Sequence, residues 1–168
     1  MYVGRCGMIY MEPHALGFEC QTYSWLEQLP SCFTRTGMGI PNKLRYLMDS
    51  YLQPTLSYLR RYLHEPVPTV DNNLAASLRK LLDCHFAQYR PAEGDDEVSN
   101  ETVAQANETL EGVFMFALIW SVGTTVDNAG RKALNEFLRR EMAHNGFGFP
   151  IPEEGQIYDY FFKSDKGR

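Results

Sequence analysis

The sequence predicts a mainly α protein, a bundle of four to five helices with one short β-strand at each end. Three observations predict it. Apolar residues recur at three- and four-residue spacings through most of the middle of the chain. One stretch, Val113 to Val122, is apolar nearly all round, as in a helix buried on most of its sides. The ends instead carry short apolar runs, Cys6 to Met11 and Ile157 to Phe162, with prolines close by.

Cys6 to Met11 reads as a buried strand. Pro13 ends it, because proline has no N–H to give to a ladder. Ala15 to Leu29 reads as a short amphipathic helix anchored by Trp25 and Leu26 and stopped by Pro30. Ser31 to Ile40, with Gly37 and Gly39, reads as loop. Pro41 to His64 then forms a helix with Leu44, Leu47, Met48, Tyr51 and Leu52 on one face, continued by Leu56, Leu59 and Leu63. Pro54 lies inside that pattern and deletes one backbone hydrogen bond, which predicts a kink or break.

Glu65-Pro66-Val67-Pro68 is a stiff connector, after which Thr69 or Asp71 is expected to cap a helix with a side-chain oxygen. That helix has Leu74, Leu78, Leu81, Leu82, Phe86 and Tyr89 on its apolar face. Pro91 to Gly112 holds seven acidic residues and no basic one, the pattern of a solvated loop running into an exposed helix turn. The next helix begins near Glu101 and ends at Gly123. Asp127 caps a last helix through Ala133, Leu134, Phe137, Leu138 and Met142, and Asn145-Gly146 stops it. Pro150 and Pro152 make an extended linker into a final short strand over Ile157 to Phe162. Neither terminal strand has an obvious partner within the chain.

A chain of 168 residues can bury a sizeable core without a disulfide or metal staple. The net charge of −5 argues against binding nucleic acid, which needs clustered Lys and Arg. The longest apolar run, Val113 to Trp120, is eight residues, against about 18 or more for a membrane span. The N-terminus shows no basic stretch followed by an apolar one, so no secretory leader is expected. Cys6, Cys20, Cys32 and Cys84 have no C-x-x-C spacing and read as reduced thiols of an intracellular protein.

There is no phosphate loop, no dinucleotide glycine fingerprint and no nucleophile elbow. Cys84-His85 is the only suggestion of a small thiol or metal enzyme. Neighbours on one helix point about 100° apart, so they share a metal poorly, and no metal is expected. Asn100-Glu101-Thr102 and Asn107-Glu108-Thr109 match glycosylation acceptors by chance. Arg5 stands apart, at the mouth of the first strand. A structural carboxylate or simple exposure is the ordinary reading of such an arginine, and its planar fork also suits a phosphate across a subunit boundary.

Arg5-Cys6-Gly7-Met8-Ile9-Tyr10-Met11-Glu12-Pro13, then Leu16-Gly17-Phe18 and Ser24-Trp25-Leu26, resemble the dynein heavy chain at the end of the large subdomain of its second AAA+ module. Phe116 to Gly123, Asp127 to Lys132 and Glu136 to Arg139 resemble the helical lid that comes after it. Gly155-Gln156-Ile157-Tyr158-Asp159-Tyr160 resembles the entry to the third module. The resemblance implies three parts: residues 1–13 as the last strand of one large subdomain, 14–149 as the lid, and 150–168 as linker and first strand of the next module. It thereby supplies both orphan strands with sheets in neighbouring subdomains.

The resemblance also implies a role. The lid belongs to a regulatory ATP-binding module and couples ATP hydrolysis to microtubule-based movement in the intact chain. ATP or ADP with Mg would be held by the whole ring and none by this fragment, which has no catalytic activity of its own. Arg5 matches the arginine finger that reaches the preceding module's nucleotide, a role worth about 10³–10⁵ in rate. Val113 to Trp120 lacks the sensor arginine usual in a lid, and Arg131 and Arg139 are the basic candidates on the next helix. Partners would be the rest of the ring and, through the intact chain, microtubules and dynein intermediate and light chains. Glu12-Pro13-His14 and Trp120-Ser121 lean toward axonemal dyneins, hence toward the cytoskeleton of a cilium or flagellum. The competing reading is a stand-alone helical interaction module. It fits less well, because Met8 to Met11 and Ile157 to Phe162 keep apolar residues that an isolated module would have to cover.

Overall fold

The computed structural model describes residues 17–35, 37–90, 98–149 and 151–163. Arg5 and the strand expected over Cys6 to Met11 lie outside the described residues.

The architecture is built around one long helix. α1 spans Glu19–Glu27, α2 Ser31–Arg35, α3 Ile40–Leu47, α4 Gln53–Tyr62, α5 Asp71–Phe86, α6 Asn100–Ser121 and α7 Asn128–His144. α6 packs most extensively against α5, and also against α3 and α2. It starts where Ser99 accepts the Thr102 N–H at 3.2 Å, satisfying one of the orphan amides of the first turn. Val103, Leu110, Phe114 and Leu118 run down its buried side. On α5, Leu74, Leu78, Leu82 and Phe86 are buried. α1 lies against α5, where the Trp25 indole donates to Asp83 and the buried Arg79 donates to Thr22 and Gln21.

α3 and α4 form one rod joined by a π-helical turn at Met48–Leu52. In that turn the Gln53 N–H bonds the Met48 carbonyl. The wide turn sits just ahead of Pro54, whose ring would press on the carbonyl four residues back in a regular helix. The break expected at Pro54 is therefore a widened turn, and the apolar face runs through it: Leu44, Leu47, Met48, Tyr51, Leu52, Leu56 and Leu59 are all buried. α7 starts as expected, with Asp127 accepting the Gly130 N–H at 2.7 Å, and ends before Gly146 at a φ of +65°. Its Phe137 stacks on Tyr58 of α4 at 4.2 Å.

Five expectations are corrected. Ser31 to Ile40 is not all loop: Ser31–Arg35 is a helix, which adds a rod beyond the four to five expected. Pro30 starts it, its carbonyl accepting the Phe33 N–H at 2.9 Å. Neither Thr69 nor Asp71 caps α5. Val70 takes the cap position, while the Thr69 hydroxyl bonds Glu65 and the Asp71 carboxylate accepts from Arg60. Leu81 sits on the outer side of α5 and is 37% exposed. Trp120 is 43% exposed, so α6 has one open edge near its C-terminal end. Ile157 to Phe162 is no strand: Ile157–Asp159 is a single 3-10 turn, and no strand occurs among the described residues. A strand needs a ladder partner. Here the Gln156 N–H bonds the Asp159 carboxylate instead and curls the backbone. No helix among the described residues is long and apolar enough to cross a membrane.

Candidate functional site

A connected polar arrangement lies where the segment 151–163, a strap, returns across α6 and α7. Asn135 is its hub. Its Oδ1 accepts from the Ile157 N–H at 3.0 Å and from Arg139 Nε at 3.1 Å. Arg139 sits one helical turn beyond Asn135, so both side chains lie on the same face of α7. The other arms of the guanidinium donate to the carbonyls of Ile151 at 3.2 Å and Gly155 at 3.3 Å. One arginine fork thus fixes two backbone points of the strap, a task a lysine point charge cannot do.

The next turn of the strap buries Ile157 completely. Tyr158 donates its hydroxyl to the Gly123 carbonyl at 2.8 Å. Gly123 fits this neighbour tightly, since a Cβ there would meet the Tyr158 oxygen at 3.0 Å. Burial pushes the Tyr158 phenol up to about 12, against the pull of the nearby Arg131 charge, so it stays a neutral donor. Farther along, Phe162 lies against Gly112 of α6 and packs edge-on to Phe149 at 5.2 Å. Phe116, Ile119, Phe147, Phe149, Phe161 and Phe162 help line an apolar cavity of about 320 Å³ between strap and helices.

Of the residues singled out from the sequence, Arg5 lies outside the described residues, and Arg139 is committed to the strap. Arg131 stands over the Tyr158 ring at 5.6 Å, and its Nε finds no hydrogen-bond partner among the described residues. Cys84 is exposed and His85 partly buried, with burial pushing the imidazole below its usual value. Among the described residues no three His, Cys, Asp or Glu side chains are grouped so as to hold a metal ion. Cys20, Cys32 and Cys84 stand as thiols. Burial pushes the Cys32 thiol up, and it donates to the Tyr89 carbonyl. Asn107 is partly buried, with its amide on the Met38 carbonyl and its own backbone carbonyl accepting from Lys43.

Sequence reading missed Asn135, Gly112, Gly123 and Tyr158. A signal existed for Gly112, because a glycine inside a 22-residue helix costs stability unless something approaches closely. Asn135 carried no comparable signal: its strap partner lies 22 residues downstream and is a backbone atom. Asn135, Arg139 and Tyr158 all bond backbone of other segments. The chemistry is that of a clamp holding the strap to α7 and to the turn after α6.

Comparison with known proteins gives a consistent result. The family model described as "Dynein heavy chain AAA lid domain" matches residues 44–168. "Dynein axonemal heavy chain 1" of Homo sapiens is 36% identical over 158 residues, which is 94% of this chain and 4% of that protein. The protein of the same name in Mus musculus is 34% identical over the same share of each. "Dynein axonemal heavy chain 3" of Homo sapiens is 30% identical over 95% of this chain and 4% of its own length. The chain thus spans only about one twenty-fifth of the length of these relatives.

Proposed function

The chain belongs to the dynein heavy chain family, as an AAA lid domain, and from that premise we propose that it is the lid of the second, regulatory AAA+ module in an axonemal motor. It couples ATP hydrolysis to microtubule-based movement by moving as a rigid body between neighbouring modules. The observation that carries this reading is the clamp. Asn135, Arg139 and the buried Ile157 hold the outgoing chain to α7, so a displacement of the lid is transmitted to whatever that chain joins.

ATP or ADP with Mg belongs to the whole ring, and the lid by itself has no turnover. Partners are the rest of the ring and, through the intact chain, microtubules and the intermediate and light chains. The site of action is the cytoskeleton of a cilium or flagellum. Arg5 acts as the finger on the preceding module's nucleotide.

The test uses the intact heavy chain. Asn135→Ala with Arg139→Ala should leave ATP turnover running while microtubule gliding per ATP consumed falls. Unchanged gliding would remove the coupling role. Arg5→Ala should lower turnover at the preceding module, and unchanged turnover would remove the finger. The stand-alone alternative predicts a cellular band at 19.3 kDa, whereas the motor reading predicts one far above it.

A further inference from the structure

The strap changes character after Tyr158. Up to that point it is held by backbone and hydroxyl hydrogen bonds to Asn135 and Gly123, around the fully buried Ile157. Among the described residues beyond Tyr160, its seat on the bundle is the Phe162 ring over the bare backbone of Gly112. Phe161 beside it is 75% exposed. A methyl group at position 112 would fall inside the Phe162 ring, so glycine is what makes this seat. Phe162 is also a wall shared by two cavities. One is the apolar cavity described above. The other, about 360 Å³, is lined by Leu81, Cys84, His85 and Val113 on α5 and α6. Phe116 lines both as well, so these two rings together stand between the cavities on α6.

We propose that the strap is a two-point latch, with Ile157 and Tyr158 as a fixed anchor and Phe162 on Gly112 as a releasable catch that covers α6. The anchor fixes the strap at Ile157 and Tyr158, and the catch decides whether residues 161–163 lie on α6. The latch rests on the packing of this strap alone and holds whether or not the lid works inside a motor ring.

The test compares the full chain with Gly112→Ala, read by chymotryptic cleavage after Phe161 and by hydrogen exchange of the Ile157 amide. The expected result is cleavage faster by about tenfold, as for a locally opened segment, with Ile157 protection at the parent level. The thermal midpoint should move little, since the helix gain of alanine offsets the lost cover of the Phe162 ring. Phe162→Ala, which leaves α6 untouched, should give the same cleavage and exchange pattern. Unchanged cleavage in both variants would overturn the catch. Loss of Ile157 protection together with faster cleavage would show a strap that moves as one body, and would overturn the two-point latch.

Discussion

The helical core and the strap are held by opposite means. Along α6 the stabilising contacts are apolar and many, and no single atom decides them. Along 151–158, around the one buried Ile157, a few donors and acceptors decide the position: one asparagine oxygen, one guanidinium and one phenol. The difference teaches where this protein tolerates change. An apolar core adapts to conservative exchange, whereas a clamp made of few bonds fails when one acceptor is removed.

The largest expected effect breaks the core side of that comparison. Phe114 is fully buried in α6, so Phe114→Ala should cost about 3–5 kcal/mol in a denaturant titration. A cost near zero would mean that α6 is not the centre of the bundle. Asn135→Ala comes next. It leaves the Ile157 N–H and Arg139 Nε without their acceptor, and about 1–3 kcal/mol is expected. Because the loss is local, exchange protection should fall at Ile157 and stay high in α6. Equal loss in both would erase the distinction between the regions.

A smaller, pH-limited effect is expected at Glu65, in the connector between α4 and α5. Burial pulls its carboxyl upward, but hydrogen bonds from Thr69, the Arg60 charge and a hydrogen bond from Thr125 overcome that and leave it below the ordinary 4.5. A carboxyl lowered on folding contributes stability above its unfolded value and loses it as pH falls through the lowered one. Glu65→Gln should therefore flatten the decline of the thermal midpoint below pH 4.5 and leave the shape of the curve above pH 6 to 7 alone (about neutral, where both states are ionised). Identical acid limbs would show that the connector network adds nothing. Smallest is Trp120→Ala, at about 1 kcal/mol or less, since the ring stands on the open edge of α6. A drop like that of Phe114→Ala would mean that the ring is covered.

Much of the core was legible in the sequence because its spacing is written in the residues. The faces of the Pro41–His64 helix and of α7, and the Asp127 cap, were read from apolar positions and one acidic residue. Leu81 and Trp120 were misread because an apolar residue on an outer edge looks like its buried neighbours. α2 was missed because five residues are too few to show a period and Pro30 reads as a stop as readily as a start. Ile157 to Phe162 has strand composition, but composition does not reveal whether a ladder partner exists. The clamp was legible only as loose basic residues. Arg139 was visible as a cation, while the carbonyls of Ile151 and Gly155 that occupy it became neighbours only through the fold.

The π turn at Met48–Leu52 also sets rotational phase. Leu44, Met48, Leu52 and Leu56 are four residues apart, and at about 100° per residue a regular helix would carry Leu56 roughly 120° away from Leu44. The wide turn absorbs about one residue of rotation and reduces that offset to roughly 20°, so both halves of the rod address the same interior. Tightening this turn into regular helix at unchanged length would swing Leu56 and Leu59 away from the core. Removing one residue within 48–52 would instead leave a regular helix with both halves in phase. The wide turn is thus how the rod carries one residue more than its phase allows, without turning its second half outward.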